Sequence, residues 1–235
     1  MPSLLDWPNE MLTLVRDHID PYDFLAHVCY LRLCTRTFAC YEGRTVPVGL
    51  WRRAVRASGL GLSRLEHDRE EYWRNVALVC AQHAWTCMYV ACGMTKLKEC
   101  RTAMLRAKEV LPDWDLVELD TFHRTDAYTA NTIFAYIEFH NDFPNPWLLD
   151  DDISAQILQC AFLEHAEILD TWNRKDLIGH HPIALRSFAT LPPLARMTIL
   201  EPQIYNSLRL EGQNLEVTHV GGITVWDVLT TLAGL

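Results

Sequence analysis

Apolar residues near the start of the chain recur at helical spacing. Leu12, Val15, Arg16 and Ile19 predict a first helix, entered through Pro8, with one mostly apolar stripe and a polar back. Asp20-Pro21-Tyr22-Asp23 then interrupts the pattern. Asp20 suits a cap, Pro21 a first helical position and Asp23 the acid of a capping box. Phe24, Leu25, Val28, Cys29 and Leu31 stripe the second helix. "EGRTVPVG" (42–49) reads as a loop, and "LWRRAVRASGLG" as a short helix closed by Gly59 and Gly61.

Further helices are expected at about 68–92 and 96–110, the latter ended by Pro112. The pattern weakens from Asp113 to Thr125, and "TANTIFAYIEFH" (129–140) fits neither period cleanly. "NDFPNPW" (141–147) is a turn-rich break, after which Asp150 to Asp152 open a helix reaching about Trp172. The tail changes character: "ARMTIL" and "LEVTHV" favour strands, and Gly221-Gly222 makes a turn. "TVWDVLTTL" starts a helix capped by Thr224, with Asp227 three residues on. The expected fold class is mainly α: a helical unit over 1–60, a helical region over 61–175 and a small α+β region over 176–235. The chain stops about two turns into its last helix, which suggests a longer natural protein.

With 235 residues, 49% of them hydrophobic, the chain can bury a core. Its net charge of −9 is unevenly spread. Residues 1–110 carry 15 Lys+Arg against 12 Asp+Glu, whereas residues 111–235 carry 6 against 18. The acidic half would repel phosphates and the first half has no basic stripe, so nucleic acid is not an expected partner. Residues 75–95 run 21 positions without a formal charge, long enough to cross a bilayer. Asn75, Gln82, His83, Thr86 and Thr95 interrupt that run, and a buried helix is the expected reading. The N-terminus lacks a secretory signal pattern, so the eight cysteines are expected as reduced thiols in the cytoplasm or nucleus.

The opening residues resemble an F-box, the helical motif that docks on the Skp adaptor of cullin-based ubiquitin ligases. The matching positions are Trp7-Pro8, Glu10-Met11-Leu12, Val15, Ile19, Asp20-Pro21, Asp23-Phe24-Leu25, Val28, and Cys34 through Arg36 to Phe38. Trp51 stands where a tryptophan often follows the last helix of the motif; Trp7 departs from the usual leucine. The match covers about a fifth of the chain. "LWRRAVRASGLG…DREEYWRNVALVC" resembles the stretch after the motif in many fungal, basidiomycete-type F-box proteins. "FATLPPLARMTIL" with "GGITVWDVLTTL" resembles an uncharacterised fungal domain. The resemblance implies a non-enzymatic, substrate-recruiting subunit that needs no cofactor. It implies adaptor contacts through Trp7, Pro8, Leu12, Val15, Ile19, Pro21, Phe24, Leu25 and Val28, and a protein substrate presented by the rest of the chain. Short amphipathic helices must bury their stripes somewhere, however. The alternative is that residues 5–38 are simply the first helices of an all-helical structural or interaction module with no adaptor binding.

Chemistry elsewhere is sparse. Cys80, His83 and Cys87 would share a helical face, and with Cys92 and Cys100 nearby a small zinc-binding protein is a third reading. The spacing lacks paired Cys-x-x-Cys, and cysteine packs well as a small apolar group, so buried thiols without a metal are expected. Asp150-Asp151-Asp152 suits a helix N-terminus better than a metal site. Glu164-His165-x-Glu167 lacks the second histidine of a zinc-peptidase motif, and His180-His181-Pro182 reads as a loop. No nucleophile elbow, Walker loop or dinucleotide fingerprint is present in the sequence. Arg52, Arg53 and Arg56 form the one local basic cluster, expected as a solvated face or as a match for an acidic surface.

Overall fold

Proline at position 8 and a lone apolar stripe give the first helix, α1 (Asn9–His18), which buries Leu12 and, beside it, Arg16. Arg16 reaches inward to the Cys40 carbonyl and sideways to Asp17 at 2.6 Å, so its charge is paired rather than stranded. In the computed structural model, which describes residues 6–42, 46–62, 66–110, 129–139, 166–169, 175–199 and 215–233, α2 (Phe24–Leu31) and α3 (Thr35–Ala39) follow. The cap of α2 is Asp23 rather than Asp20: the Asp23 carboxylate accepts from the Ala26 N–H at 3.0 Å. Asp20 instead closes the turn itself, accepting from the Tyr22 N–H at 3.0 Å.

Helix α4 (Leu50–Ala57) is short and strongly two-faced, burying Trp51, Ala54 and Val55. One of its unpaired first-turn amides is satisfied from another helix: the Trp51 N–H donates to Glu70 Oε1 at 2.7 Å. Gly59, at φ +77°, turns the chain away, and a Cβ there would stand 2.7 Å from the Cys100 Cβ. Helix α5 (Glu70–Thr86) opens with two acids and presents Trp73, Val76, Ala77, Cys80, Ala81 and Ala84 inward. Small residues over its last two turns let α2, α4 and a later helix approach it closely. The expected helix over 68–92 therefore ends early, where Cys87 turns extended and donates its N–H to the His83 carbonyl at 2.8 Å. Helix α6 (Met94–Val110) matches the expected span.

Residues 129–139 resolve their mixed pattern by splitting: β1 (Thr129–Ala130), a 3₁₀ turn (Thr132–Tyr136) and β2 (Ile137–Phe139). Asn131 starts the turn by accepting from the Ile133 N–H and donating to the Phe188 carbonyl at 2.8 Å. Strands β2, β3 (Ala166–Leu169) and β4 (Lys175–Leu177) form an antiparallel meander. A 3₁₀ turn (Ile178–His180) then leads into α7 (Pro182–Arg186), whose N-cap position is His181 and which packs on α5. β5 (Thr190–Leu191) pairs with β1, and β6 (Arg196–Ile199) pairs with β7 (Leu215–Thr218), so "ARMTIL" and "LEVTHV" do form strands. The last helix, α8 (Val225–Ala233), has the cap expected from sequence. The Thr224 N–H and hydroxyl both donate to Asp227 Oδ2, at 2.8 and 2.9 Å, and the Asp227 N–H returns a bond to Thr224 Oγ1 at 3.2 Å.

Eight α-helices and short antiparallel strands among the described residues make the fold mainly α with a small β component. One apolar cluster runs from Leu12, Phe24 and Val28 through Trp51, Val76 and Cys92 to Ile168, Ile183 and Leu229. No described helix is long and apolar enough to cross a membrane. Asp150-Asp151-Asp152 and Glu164-His165 lie outside the described residues, whereas the helix expected from there to about Trp172 is overturned at its far end, where Ala166–Leu169 is extended and pairs on both sides as β3.

Asp227 is fully buried and anchors both the α8 cap and His219, 2.9 Å away. Asp227→Ala should destabilise the chain by about 2 kcal/mol in urea unfolding, through the lost cap and the buried donors left behind. An unchanged midpoint would mean that the cap does not hold the C-terminal helix.

Candidate functional site

The nine residues singled out at the N-terminus divide by burial. Leu12, Phe24 and Val28 are buried in the chain's own core, beside Trp51 and Tyr41. Trp7, Val15, Ile19 and Leu25 are half-buried and pack against that core from outside. Pro8 and Pro21 are exposed. Helical geometry explains the split: the stripe through Leu12 and Arg16 faces inward, which turns Met11 and Leu14 outward, and both are about half exposed. Leu33 and Phe38 are exposed at the α2–α3 turn and on α3, and the Arg36 guanidinium ties α3 to Asn9 at 2.7 Å. The sequence motif thus contains an inward set and an outward set, and helical periodicity alone names the inward one.

The Asp-Pro break is tied to a later helix. Arg101 of α6 donates to Asp20 at 2.6 Å and to Asp23 at 2.7 Å. Burial pushes the Asp23 carboxyl up, but the Ala26 N–H and the Arg101 guanidinium outweigh it and hold the group below the ordinary carboxylate value. Next to the break, a cavity of about 230 Å³ is lined by Arg16, Ile19, Pro21, His27, Leu50 and Arg53. The basic cluster on α4 is spent locally: Arg52 meets Asp68 at 3.3 Å, and Arg53 donates to the Val48 carbonyl. Arg56 donates to the Gly221 carbonyl at 2.6 Å, joining α4 to the turn before α8.

A second constellation lies at the C-terminal end of α5. His83 and Cys87, one helical turn apart, meet Cys92 from the following turn and His181 from the start of α7. The four donor atoms all lie within 4.8 Å of one another. His83 Nε2 is 3.1 Å from Cys92 Sγ, and Cys87 Sγ is 3.7 Å from His181 Nδ1. His181 is almost fully buried, and its other ring nitrogen, Nε2, lies 3.2 Å from Asp176 Oδ2. Tyr89 packs edge-on against the His181 ring with centroids 4.7 Å apart, and His83 does so at 5.3 Å. The turn that delivers Cys92 is held by bonds from the Cys92 and Gly93 N–H groups to the Tyr89 carbonyl. It closes so tightly on the end of α5 that a Cβ on Gly93 would stand 2.7 Å from the Cys87 carbonyl oxygen.

The electrostatics single out one thiol. A hydrogen bond from the Cys92 thiol, then bonds from His181 and His83, hold the Cys87 sulfur far below an ordinary thiol and favour its thiolate. Burial, with the Cys87 anion beside it, keeps the Cys92 proton on. The trio suggested by helical spacing splits: Cys80 sits in the core, where burial pushes its thiol up to about 12, and takes no part in the cluster. Cys100 is likewise a buried thiol, raised to about 11. His181, read from sequence as a loop residue, joins the cluster instead. Only tertiary structure could bring it there, because it lies 94 residues beyond Cys87.

Comparison with known proteins finds no matching family model, no matching curated protein and no matching solved structure.

Asp23→Ala removes the α2 cap and one Arg101 contact, and should cost about 1–2 kcal/mol at neutral pH. The Asp23 carboxyl is held below its ordinary value of 3.8, so its contribution is complete above that value and is lost as the pH falls through the lower folded-state value. Urea unfolding of both proteins at neutral pH and at about pH 3 should therefore show the gap narrowing in acid. A gap that widens in acid would reverse the assignment.

Proposed function

We propose that the chain is an F-box-like protein that binds a Skp-type adaptor through its N-terminal helices and recruits a protein substrate to a cullin-type ubiquitin ligase. The observation that carries this reading is an exposed apolar edge on a unit whose sequence resembles the motif. Pro8, just before α1, and Met11 and Leu14 along it stay open, while Leu12, Phe24 and Val28 are buried and Trp7, Val15, Ile19 and Leu25 half-buried. A half-exposed apolar pair on one helical face gains from being covered, and interface energies concentrate in a few such anchors. In this reading Leu12, Phe24 and Val28 shape the unit from within. Met11, Leu14 and Pro8, flanked by half-buried Trp7 and Val15, make the contact.

A second reading has its own support. Phe24 and Val28 share one core with Trp51 and with Val76 of α5, so the N-terminal helices find burial inside the chain without a partner. A helical structural or interaction module with no adaptor binding needs nothing more.

Co-expression with a fungal Skp adaptor, followed by size-exclusion chromatography, separates the two. The F-box reading expects a stoichiometric complex that Met11→Asp/Leu14→Asp weakens by 30-fold or more, about 2 kcal/mol, while the variant keeps its helical circular dichroism. Val220→Asp, at a fully open position far along the sequence, should leave the complex intact. A folded monomer that ignores the adaptor would favour the self-contained module.

A further inference from the structure

We propose that His83, Cys87, Cys92 and His181 form a four-ligand structural zinc site that ties the end of α5 to the start of α7. This inference is independent of the adaptor reading, since no residue of the N-terminal unit takes part.

The donor set fits the ion. Two imidazoles and two thiols make an N₂S₂ environment, which suits tetrahedral zinc. Zinc bonds of about 2.0 Å to nitrogen and 2.3 Å to sulfur set ligand atoms roughly 3.3–3.8 Å apart. The separations of 3.1 Å between His83 Nε2 and Cys92 Sγ, and 3.7 Å between Cys87 Sγ and His181 Nδ1, lie just below and within that range. The other pairs fall within 4.8 Å. Closing the tetrahedron requires the widest of these separations to shorten by at most about 1 Å.

The surroundings fit as well. A ligating histidine commonly gives its second nitrogen to a carboxylate, which fixes the ring and its tautomer. Asp176 stands in that position, with Oδ2 3.2 Å from His181 Nε2, leaving Nδ1 to face Cys87. His181 and Cys92 are buried, so the site is walled on two sides. The sequence between the two cysteines supports the geometry: a Cys-x₄-Cys turn lies within the span that structural zinc sites use, and Gly93 allows it to fold back against α5. Four protein ligands leave no open position for water or substrate, so the role is structural rather than catalytic. Both cysteines bind zinc as thiolates, so any thiol protons the pair carries leave to solvent on binding, and no electron changes hands. The ion would link residues far apart in sequence, pinning the β4–α7 segment to the central helix.

The test uses the full chain, purified under reducing conditions, stripped with a chelator and titrated with cobalt(II) as the probe. One equivalent should bind, giving the visible absorption of tetrahedral cobalt and near-ultraviolet thiolate-to-cobalt charge transfer; zinc should displace it and raise the melting temperature. Cys92→Ser and His181→Ala should each abolish stoichiometric binding, and Asp176→Asn should weaken it by about 10–100-fold while leaving the cobalt spectrum tetrahedral. Cys29→Ser, at an exposed cysteine outside the cluster, should change nothing. A wild-type chain that binds no stoichiometric cobalt, or binds it with an octahedral spectrum lacking charge transfer, overturns the proposal whatever the variants do. So does unchanged binding in both Cys92→Ser and His181→Ala.

Discussion

The fold depends on the buried face of α5. Trp73 and Val76 supply bulk at one end of this helix, and Ala77, Cys80, Ala81 and Ala84 supply close approach along the rest. Small side chains give little burial energy themselves but bring neighbouring backbones near enough for their own large residues to pack. Helices α2, α4 and α7 all use this surface, so the N-terminal unit and the C-terminal α+β region meet through one element. The uncharged run that could be mistaken for a bilayer span is not one buried helix: α5 ends at Thr86, and Asn75, Val79, Gln82 and Trp85 lie on its exposed side while the small residues face the core.

Polar contacts then set the order around that helix. Glu70 at its start caps α4 through the Trp51 N–H, and Arg186 of α7 meets Glu66 just before it at 2.8 Å. Arg101 holds the Asp-Pro break between α1 and α2 from the side of α6. Such pairs are half-exposed and individually modest, but each joins segments distant in sequence and selects one arrangement among several that would bury similar apolar area. The end of α5 is a further junction of this kind, built from two thiols and two imidazoles.

Much of this architecture was legible in the sequence, wherever the signal was local. The stripe of α1, the Asp-Pro break, the helix after residue 94, the paired strands of the tail and the Thr224–Asp227 cap all follow from spacing and capping chemistry within a few residues. What escaped was non-local or two-sided. Periodicity gave α1 one apolar stripe and left Met11 and Leu14 out of it, because spacing marks the side that packs and says little about apolar residues on the other. Residues 129–139 satisfied neither period because they split between strand and 3₁₀ turn. The Cys/His cluster was half visible, in His83 and Cys87 at i and i+4, but helical spacing offered Cys80 as the third member. Cys80 lies on the packed side of α5, whereas the true neighbours arrive from a turn and from a distant helix start. Asp176 could be assigned beside His181 only once β4 and α7 were in place.

The N-terminal helices are built into the same core as α5 and leave an apolar edge of α1 uncovered. Native-state hydrogen exchange of the free chain tests it directly, because amides that open only with global unfolding share one free energy. The slowest amides of α2, α4 and α5 should exchange with a common, largest free energy of opening. Opening of α1 and α2 several kcal/mol more easily than α5 would instead mark them as a separate, weakly held unit outside that core.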